Sequence, residues 1–317
     1  MRKVFGIGET VLDIIFREDN PIGAVPGGSV YNSIISLGRS GVNCTFISET
    51  GNDRIGKRII SFLKENNVDP SEVYVHPESK SPLSLAFLDE ENKAEYIFYK
   101  DHDNDKLDYN YPEIHENDIV LFGSYYAVNP VIRSQMVAFL QHAKKNGAIL
   151  YYDVNFRSSH KEELTKIRPN MLENFELADI IRGSNEDFQN ICGINNGDKV
   201  FASEIAFYCK KFIYTQGDNP VILYLDKFRK EYPVLDSQIE TVSTIGAGDN
   251  FNAGVVFSMI KNKVTKEQIA QGTIYEDKWD DMIKYGQMFA ACSCKSLNNY
   301  VTLDFAEERR KQLLSNC

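Results

Sequence analysis

Apolar runs of strand length recur along this chain, and stretches with apolar residues at helical spacing lie between them. The segments Val4 to Gly8, Cys44 to Ile47, Ile119 to Ser124, Gly147 to Asp153, Val221 to Leu225 and Arg229 to Val234 read as strands. The set Val30, Ile34, Ile35, Leu37, the set Ile55, Ile59, Ile60, Leu63, and the stretch Val131 to Lys145 read as helices. Asp179 and Ile180 run into a further helix in the same way. Strands regularly separated by helices imply a parallel sheet with helices on both faces. The expected fold is therefore α/β, a doubly wound and mostly parallel sheet, with ligands at the carboxyl ends of its strands.

One region breaks the alternation. Ser84 to Leu88 and Ala94 to Tyr99 alternate in polarity around Asp89-Glu90-Glu91-Asn92-Lys93, which predicts a β-hairpin with a polar loop. With the extended residues from Val11 to Val25 it would build a small separate sheet, spanning about 11–25 and 82–101. Such a sheet suits a lid over chemistry that must exclude water. An edge hairpin without a role is the plainer alternative. At 317 residues the chain is read as one domain, 1–317.

The stretch that carries chemistry is Gly246-Ala247-Gly248-Asp249. It precedes Phe251, Val255, Val256, Met259 and Ile260, which have helical spacing, so the glycines form a turn at a helix N-terminus. Backbone N–H groups there, with the helix dipole, bind an anion. A carboxylate beside an anion site makes sense if it takes a proton from a nucleophile attacking a phosphoryl group. A glycine turn with an acidic cap is the plainer reading.

Other stretches carry weaker signals. Gly6 and Gly8 lack the third glycine of a dinucleotide fingerprint, because Val11 stands in its place. Asp13 interrupts an apolar run, which is costly without partners; it caps a turn or accepts hydrogen bonds from hydroxyls. Gly27-Gly28-Ser29 opens a helix in which Asn32 presents a donor and acceptors one turn inside. Gly51 to Lys57 reads as a P-loop until Arg58, where magnesium would need Ser or Thr. Asp153-Val154-Asn155-Phe156-Arg157 ends a strand, and a surface Asp153–Arg157 pair is its plain reading. A helix is expected from Tyr285 to Leu297.

Together these stretches resemble the ribokinase-like (PfkB) family of carbohydrate kinases, whose signature reads D-T-x-G-A-G-D-x-F. Gly246, Ala247, Gly248, Asp249 and Phe251 match it, while Ser243 stands where the family has Asp. Gly27 to Asn32 resembles its G-G-x-x-x-N, Asp153 to Arg157 its D-x-N-x-R, and Gly51, Asp53 and Gly56 its G-x-D-x-x-G. The resemblance implies an ATP-dependent sugar kinase with a small β-lid. Asp249 would be the general base, with Gly246, Ala247 and Gly248 stabilising the phosphoryl group and Arg157 pairing with it. Asp13, Gly28, Asn32 and Asn155 would hold the sugar. Asn185, Thr215, Gly217 and Gln287 would meet the nucleotide. Phe188 falls where the family's N-x-x-E has Glu, so the metal ligands of this chain are unknown, with Glu186 or Asp187 as substitutes. The implied cofactors are ATP and Mg2+, and a monovalent cation is left open. The strand Ala94 to Lys100 is similar to the lid strand of fructokinases and 2-keto-3-deoxygluconate kinases, with Lys100 in place of Arg. A primary hydroxyl of fructose or a related keto sugar is the implied acceptor. A nucleoside kinase of the same family, a P-loop kinase and a non-catalytic sugar sensor are the alternatives.

The net charge of −10 and pI near 5.1 argue against nucleic acid as a partner. No apolar run reaches membrane-spanning length. Cys44, Cys192, Cys209, Cys292, Cys294 and Cys317 are scattered and read as reduced thiols, with Cys292 and Cys294 packing a helix. Met1 to Phe5 lead directly into a strand, leaving no room for a signal peptide. A cytoplasmic enzyme is expected, and the exposed hairpin edge is consistent with a homodimer through the lid.

Overall fold

The computed structural model describes residues 2–90, 94–100, 112–226, 228–235 and 241–315. The chain begins with β1 (Lys3–Ile7), β2 (Val11–Arg17) and β3 (Asn20–Gly27), then α1 (Ser29–Arg39), β4 (Asn43–Gly51) and α2 (Arg54–Glu65). β5 (Val68–Asp69), β6 (Val73–His76), β7 (Leu83–Leu88) and β8 (Ala94–Tyr99) follow. Strands then alternate with helices through β9 (Ile119–Gly123), α3 (Ser124–Val128), α4 (Arg133–Lys145), β10 (Ile149–Asp153), α5 (Leu164–Leu177), β11 (Ile180–Ser184), α6 (Asn185–Cys192), α7 (Gly197–Val200) and β12 (Phe212–Gln216). β13 (Asn219–Leu225), β14 (Phe228–Tyr232), α8 (Ala247–Lys261), α9 (Lys266–Gln271), α10 (Glu276–Ser293) and α11 (Leu303–Leu314) complete it.

The main sheet runs β14-β13-β12-β11-β10-β9-β1-β4-β5, with β6 also on β4. From β12 to β5 every neighbouring pair is parallel; β13 and β14 close one edge antiparallel. Each central strand splits its residues between two cores, as a period of two requires. Val4, Ile119, Leu121, Ile149 and Tyr151 face the core shared with α1, α8 and α10. Phe5, Val120, Phe122, Leu150 and Tyr152 face the core shared with α4 and α5. That is the doubly wound arrangement expected from the alternation. β4 lies on one side of β1 and β9 on the other, so the strand order reverses there and opens a crevice at the carboxyl ends.

The second sheet is β3-β2-β7-β8, parallel only between β2 and β7. It is the separate small sheet expected from the hairpin. Residues 91–93 of the hairpin turn and residue 101 lie outside the described residues.

One element differs from expectation. The helix expected from Tyr285 to Leu297 is α10, which begins at Glu276 and ends at Ser293. Trp279, Met282 and Ile283 extend its buried face backward between charged residues, a periodicity that the acidic start conceals. Its end is set from outside, because the Cys294 carbonyl accepts the N–H groups of Val242 and Ser243. No helix among the described residues is long and apolar enough to cross a membrane.

Phe188, fully buried, meets Phe212 edge-on at 5.6 Å between ring centroids and Tyr214 at 6.5 Å. Phe188→Ala would leave a cavity beneath β11. Urea unfolding should show a loss of about 3–5 kcal/mol, and a loss under 1 kcal/mol would contradict this packing.

Candidate active site

α8 starts in the crevice beside the lid. Gly246 caps it in the left-handed region at φ 75, a conformation that costs a side-chain-bearing residue energy. The Ala247 N–H donates to the Thr244 carbonyl at 3.2 Å, and the first bond within the helix is from Asn250 N–H to the Gly246 carbonyl at 2.8 Å. The N–H groups of Gly246, Gly248 and Asp249 have no acceptor among the described residues. Of the N–H donors expected to act together at this turn, the one on Ala247 is already in use, which leaves those of the two glycines and Asp249.

The N-terminus of α1 meets that of α8. Asn32 Nδ2 donates to Asp249 Oδ2 at 2.8 Å, and Ser29 Oγ donates to Oδ1 at 2.9 Å. Ser33 Oγ donates to the Asp249 carbonyl at 2.7 Å, and Ser36 Oγ to Asn250 Oδ1 at 2.5 Å. Residues 29, 32, 33 and 36 are one face of α1, a polar stripe turned toward α8. Burial pushes the Asp249 carboxyl above its ordinary range; the Asn32 bond, the Arg157 charge and the Ser29 bond pull part of that back. Asn32 Oδ1 is buried and unpartnered, an acceptor held ready beside the base. Gly28 caps α1 in the same corner.

Asp13 reaches this corner from β2 of the lid. It accepts hydrogen bonds from Ser84 Oγ of β7 and from Asn299 Nδ2, the latter at 2.9 Å. Burial raises its pKa to about 6 against those bonds, and the charge of Asp249 adds to the rise. The two carboxylates are near enough for each charge to be felt at the other. Asn299 also accepts, through its carbonyl, from Asn250 Nδ2 at 2.8 Å. It ties the lid's carboxylate to the start of α8.

The D-x-N-x-R stretch divides. Asp153 does not pair with Arg157; its Oδ1 accepts from Arg182 Nη1 at 3.0 Å and its Oδ2 from Asn252 Nδ2 at 2.8 Å. Tertiary proximity in the sheet decides this, since Asp153 stands beside Arg182 in the parallel β10–β11 register. Arg182 Nη2 also donates to Thr215 Oγ1 at 2.6 Å. Arg157 instead extends, exposed, toward the lid and lies over the Tyr96 ring at 5.9 Å. Asn155, between them, is buried at φ 36. Tyr96 feels the charges of Asp13, Arg157 and Asp249, so its hydroxyl end belongs to the acceptor side of the crevice.

On the other side of the glycine turn a cleft of about 550 Å³ opens. Thr215, Gly217 and Gln287 line it, together with the apolar Val221, Ala290 and Ala291. Ala247 and Gly248 form part of its wall, so the cleft and the anion-binding turn are continuous. Gln287 Nε2 donates to the Pro233 carbonyl at 2.8 Å. Cys294 also lines this cleft, whereas Cys292 is buried, so only Cys292 fits the packing role expected for both. Asn185 is the first residue of α6, half-buried and not part of the cleft lining.

Asp187 and Ser184, rather than Asn185 and residue 188, form the capping box of α6. Asp187 accepts from the Ser184 N–H at 2.6 Å and from the Phe156 N–H at 2.8 Å. Phe188 points into the core, so its position never faces the site. Among the described residues no cluster of Asp, Glu, His and Cys is arranged to hold a metal.

Gly51 to Lys57 is not a phosphate cradle. Asp53 caps α2 and accepts the N–H groups of Gly56 and Ser81, both at 2.8 Å, and the Gly51 N–H donates to Ser81 Oγ. The loop's donors are satisfied internally.

The sequence reading missed Ser29, Ser84, Tyr96, Arg182 and Asn299. Arg182 carried a usable signal, a charge inside the apolar run Ile180-Ile181-Arg182, the same cue that marked Asp13. Ser29 could have been found from the polar stripe on α1. Asn299 has no local signal.

The sequence profile of pfkB family carbohydrate kinases matches residues 1–304. Fructokinase-1 of Oryza sativa subsp. japonica is 26% identical over 258 residues, 80% of this chain and 79% of that protein. The fructokinase of Vibrio cholerae O395, in its fructose, ADP and calcium ion bound form, superposes with a TM-score of 0.83 at 20% identity, covering 96% of each chain. The aminoimidazole riboside kinase of Salmonella enterica, complexed with aminoimidazole riboside and an ATP analogue, superposes with a TM-score of 0.80 at 19% identity. That match covers 98% of this chain and 100% of the other. At these identities the structural likeness establishes a ribokinase-like fold.

The raised pKa of Asp13 has a thermodynamic consequence. Its folded value, about 6, lies above the ordinary 3.8. The fold therefore loses stability as pH rises from 3.8 to 6, and the cost is fully present above that window. The shift corresponds to roughly 3 kcal/mol as an upper bound. Asp13→Asn should raise the melting temperature at pH 8 and leave it unchanged near pH 3.5. The unpartnered Asn299 Oδ1 is available to accept from the new amide. A lower melting temperature at pH 8 would refute the assignment.

Proposed function

The chain belongs to the pfkB family of carbohydrate kinases, phosphotransferases that act on a sugar hydroxyl, and on that footing we propose that it transfers the γ-phosphoryl group of ATP to a primary hydroxyl of fructose or a closely related keto sugar. The observation that carries this reading is the Asp249 carboxylate, fixed by Asn32 and Ser29 beside a turn in which the N–H groups of Gly246, Gly248 and Asp249 have no acceptor among the described residues.

The roles follow from the geometry. The acceptor sits between lid and crevice, its hydroxyls bound by Asp13, Asn32 and the backbone at Gly28 and Asn155. Tyr96 covers it from β8. The nucleotide lies in the cleft lined by Thr215, Gly217 and Gln287, with Asn185 at its outer margin and its phosphates at the glycine turn. Asp249 takes the proton of the attacking hydroxyl. Its upward-shifted pKa makes it a better base than an ordinary carboxylate. As the hydroxyl oxygen bonds to phosphorus, the bond to the ADP oxygen breaks, and the N–H groups of Gly246, Gly248 and Asp249 take up charge on the transferring group. Arg157 meets that group from the lid side. A magnesium ion bound with the nucleotide would supply further charge neutralisation to the transferring group. Closure of the lid sheet, formed by about 11–25 and 82–101 of a single 1–317 domain, excludes water that would otherwise compete as acceptor.

The fructokinase relative supports the acceptor, as does the likeness of the lid strand Ala94–Tyr99, although Lys100 stands where that strand has Arg. Pairing of two copies through the lid belongs to the same reading, supported by the exposed Ile22, Ile97 and Tyr99. So does work in the cytoplasm, supported by the unpaired Cys44, Cys192, Cys209, Cys292 and Cys294.

The test is ADP release with ATP and magnesium across fructose, 2-keto-3-deoxygluconate, ribose and adenosine, with Asp249→Asn beside the wild type. Turnover should be highest with fructose and fall at least about 100-fold in the variant. Preference for the keto acid or for adenosine would move the acceptor within the family. A folded protein that binds ATP and phosphorylates none of them would favour a sensor.

A further inference from the structure

The cleft, the glycine turn and the apolar strand β11 converge on one group that the proposed mechanism leaves without a task. Arg182 is only 7% exposed, yet it borders the cleft together with Gly248. A Cβ built on Gly248 would stand 3.0 Å from its Nη2 and 3.1 Å from its Nη1. The guanidinium therefore lies directly against the glycine turn, and a side chain at 248 would press on it. Asp153 and Thr215 hold it by one N–H each. A guanidinium has five N–H donors, and Nε is buried with no acceptor at all.

We propose that Arg182 is a catalytic cation of this enzyme, donating to the phosphoryl group in transfer from behind the glycine turn, opposite to Arg157. This rests on the kinase reading above and assigns its phosphate site a second positive group. A buried ion pair such as Arg182–Asp153 contributes little net stability, because desolvation offsets the attraction. Stability alone is thus a weak reason to place a charge inside an apolar strand. Asp153, Asn252 and Thr215 have a clear purpose as its positioning residues: they fix the guanidinium plane while its remaining donors stay free for an anion. The forked, permanently charged group suits an oxygen-rich ligand that gains charge during the reaction. Its position at the cleft rather than the lid gives it the nucleotide's phosphates, while Arg157 over Tyr96 stands with the acceptor.

Removing the cation alone would strand Asp153, so the decisive variant is the double substitution Asp153→Asn with Arg182→Gln, which replaces the pair by neutral hydrogen-bonding groups. Binding of the β,γ-imido analogue of ATP and of adenosine is measured by calorimetry, and turnover by ADP release. Expected are a wild-type circular dichroism spectrum, kcat at least 100-fold lower, and sugar KM within about threefold of wild type. Affinity for the ATP analogue should drop at least tenfold, with adenosine affinity unchanged. Arg182→Lys, which retains charge but loses the fork, should lower kcat about tenfold. Wild-type kcat in either folded variant overturns the assignment, as does an equal loss of affinity for adenosine and the ATP analogue. If the wild type itself turns over no sugar, the function reading has failed, and the two binding measurements still decide whether Arg182 meets the phosphates.

Discussion

A carboxylate buried where two helix N-termini meet is the constraint on which this molecule turns. Asp249 is held by the Asn32 amide and the Ser29 hydroxyl, so α1 and α8 must approach end to end. Two positive helix ends favour the charge there, while burial opposes it. The polar stripe of Ser29, Asn32, Ser33 and Ser36 exists to satisfy the start of α8 rather than to face water. The loop after α10 closes the arrangement, since Asn299 bonds both Asp13 in the lid and Asn250 in α8.

The rest of the molecule makes that polar corner tolerable. Two apolar cores, one on each face of the parallel sheet, hold the strand ends that carry Asp153, Arg182 and Thr215. Their side chains form a buried chain of hydrogen bonds whose one cation, Arg182, lies against the glycine turn. The lid and α1, α8 and β11, and β12 and α10 each bring side chains to this junction, and the candidate site belongs to no single element.

The alternation of strands and helices was legible because each central strand must feed two cores, which leaves long apolar runs. The glycine turn was legible because its residues are contiguous. The lid was legible from the alternating polarity of Ser84 to Leu88 and Ala94 to Tyr99. The start of α10 was hidden by Glu276 and Asp277, which read as loop while Trp279 was already buried. The capping box of Ser184 and Asp187 at the start of α6 was not read from the sequence. The partner of Asp153 was hidden as well, because Arg182 lies on the neighbouring strand rather than nearby in the chain.

By itself the sequence determined the doubly wound sheet, the separate small sheet and the glycine turn that opens a helix with its carboxylate, since each is written in local periodicity or in one short run. Only the tertiary structure decided who partners whom: Asp153 with Arg182, Asp13 with Asn299, Asp249 with Asn32. Those bonds join residues far apart in the chain, and their choice depends on which strand ends and helix ends packing brings together. A buried charge takes whatever partner the fold places within hydrogen-bond reach, and sequence distance has no say in it.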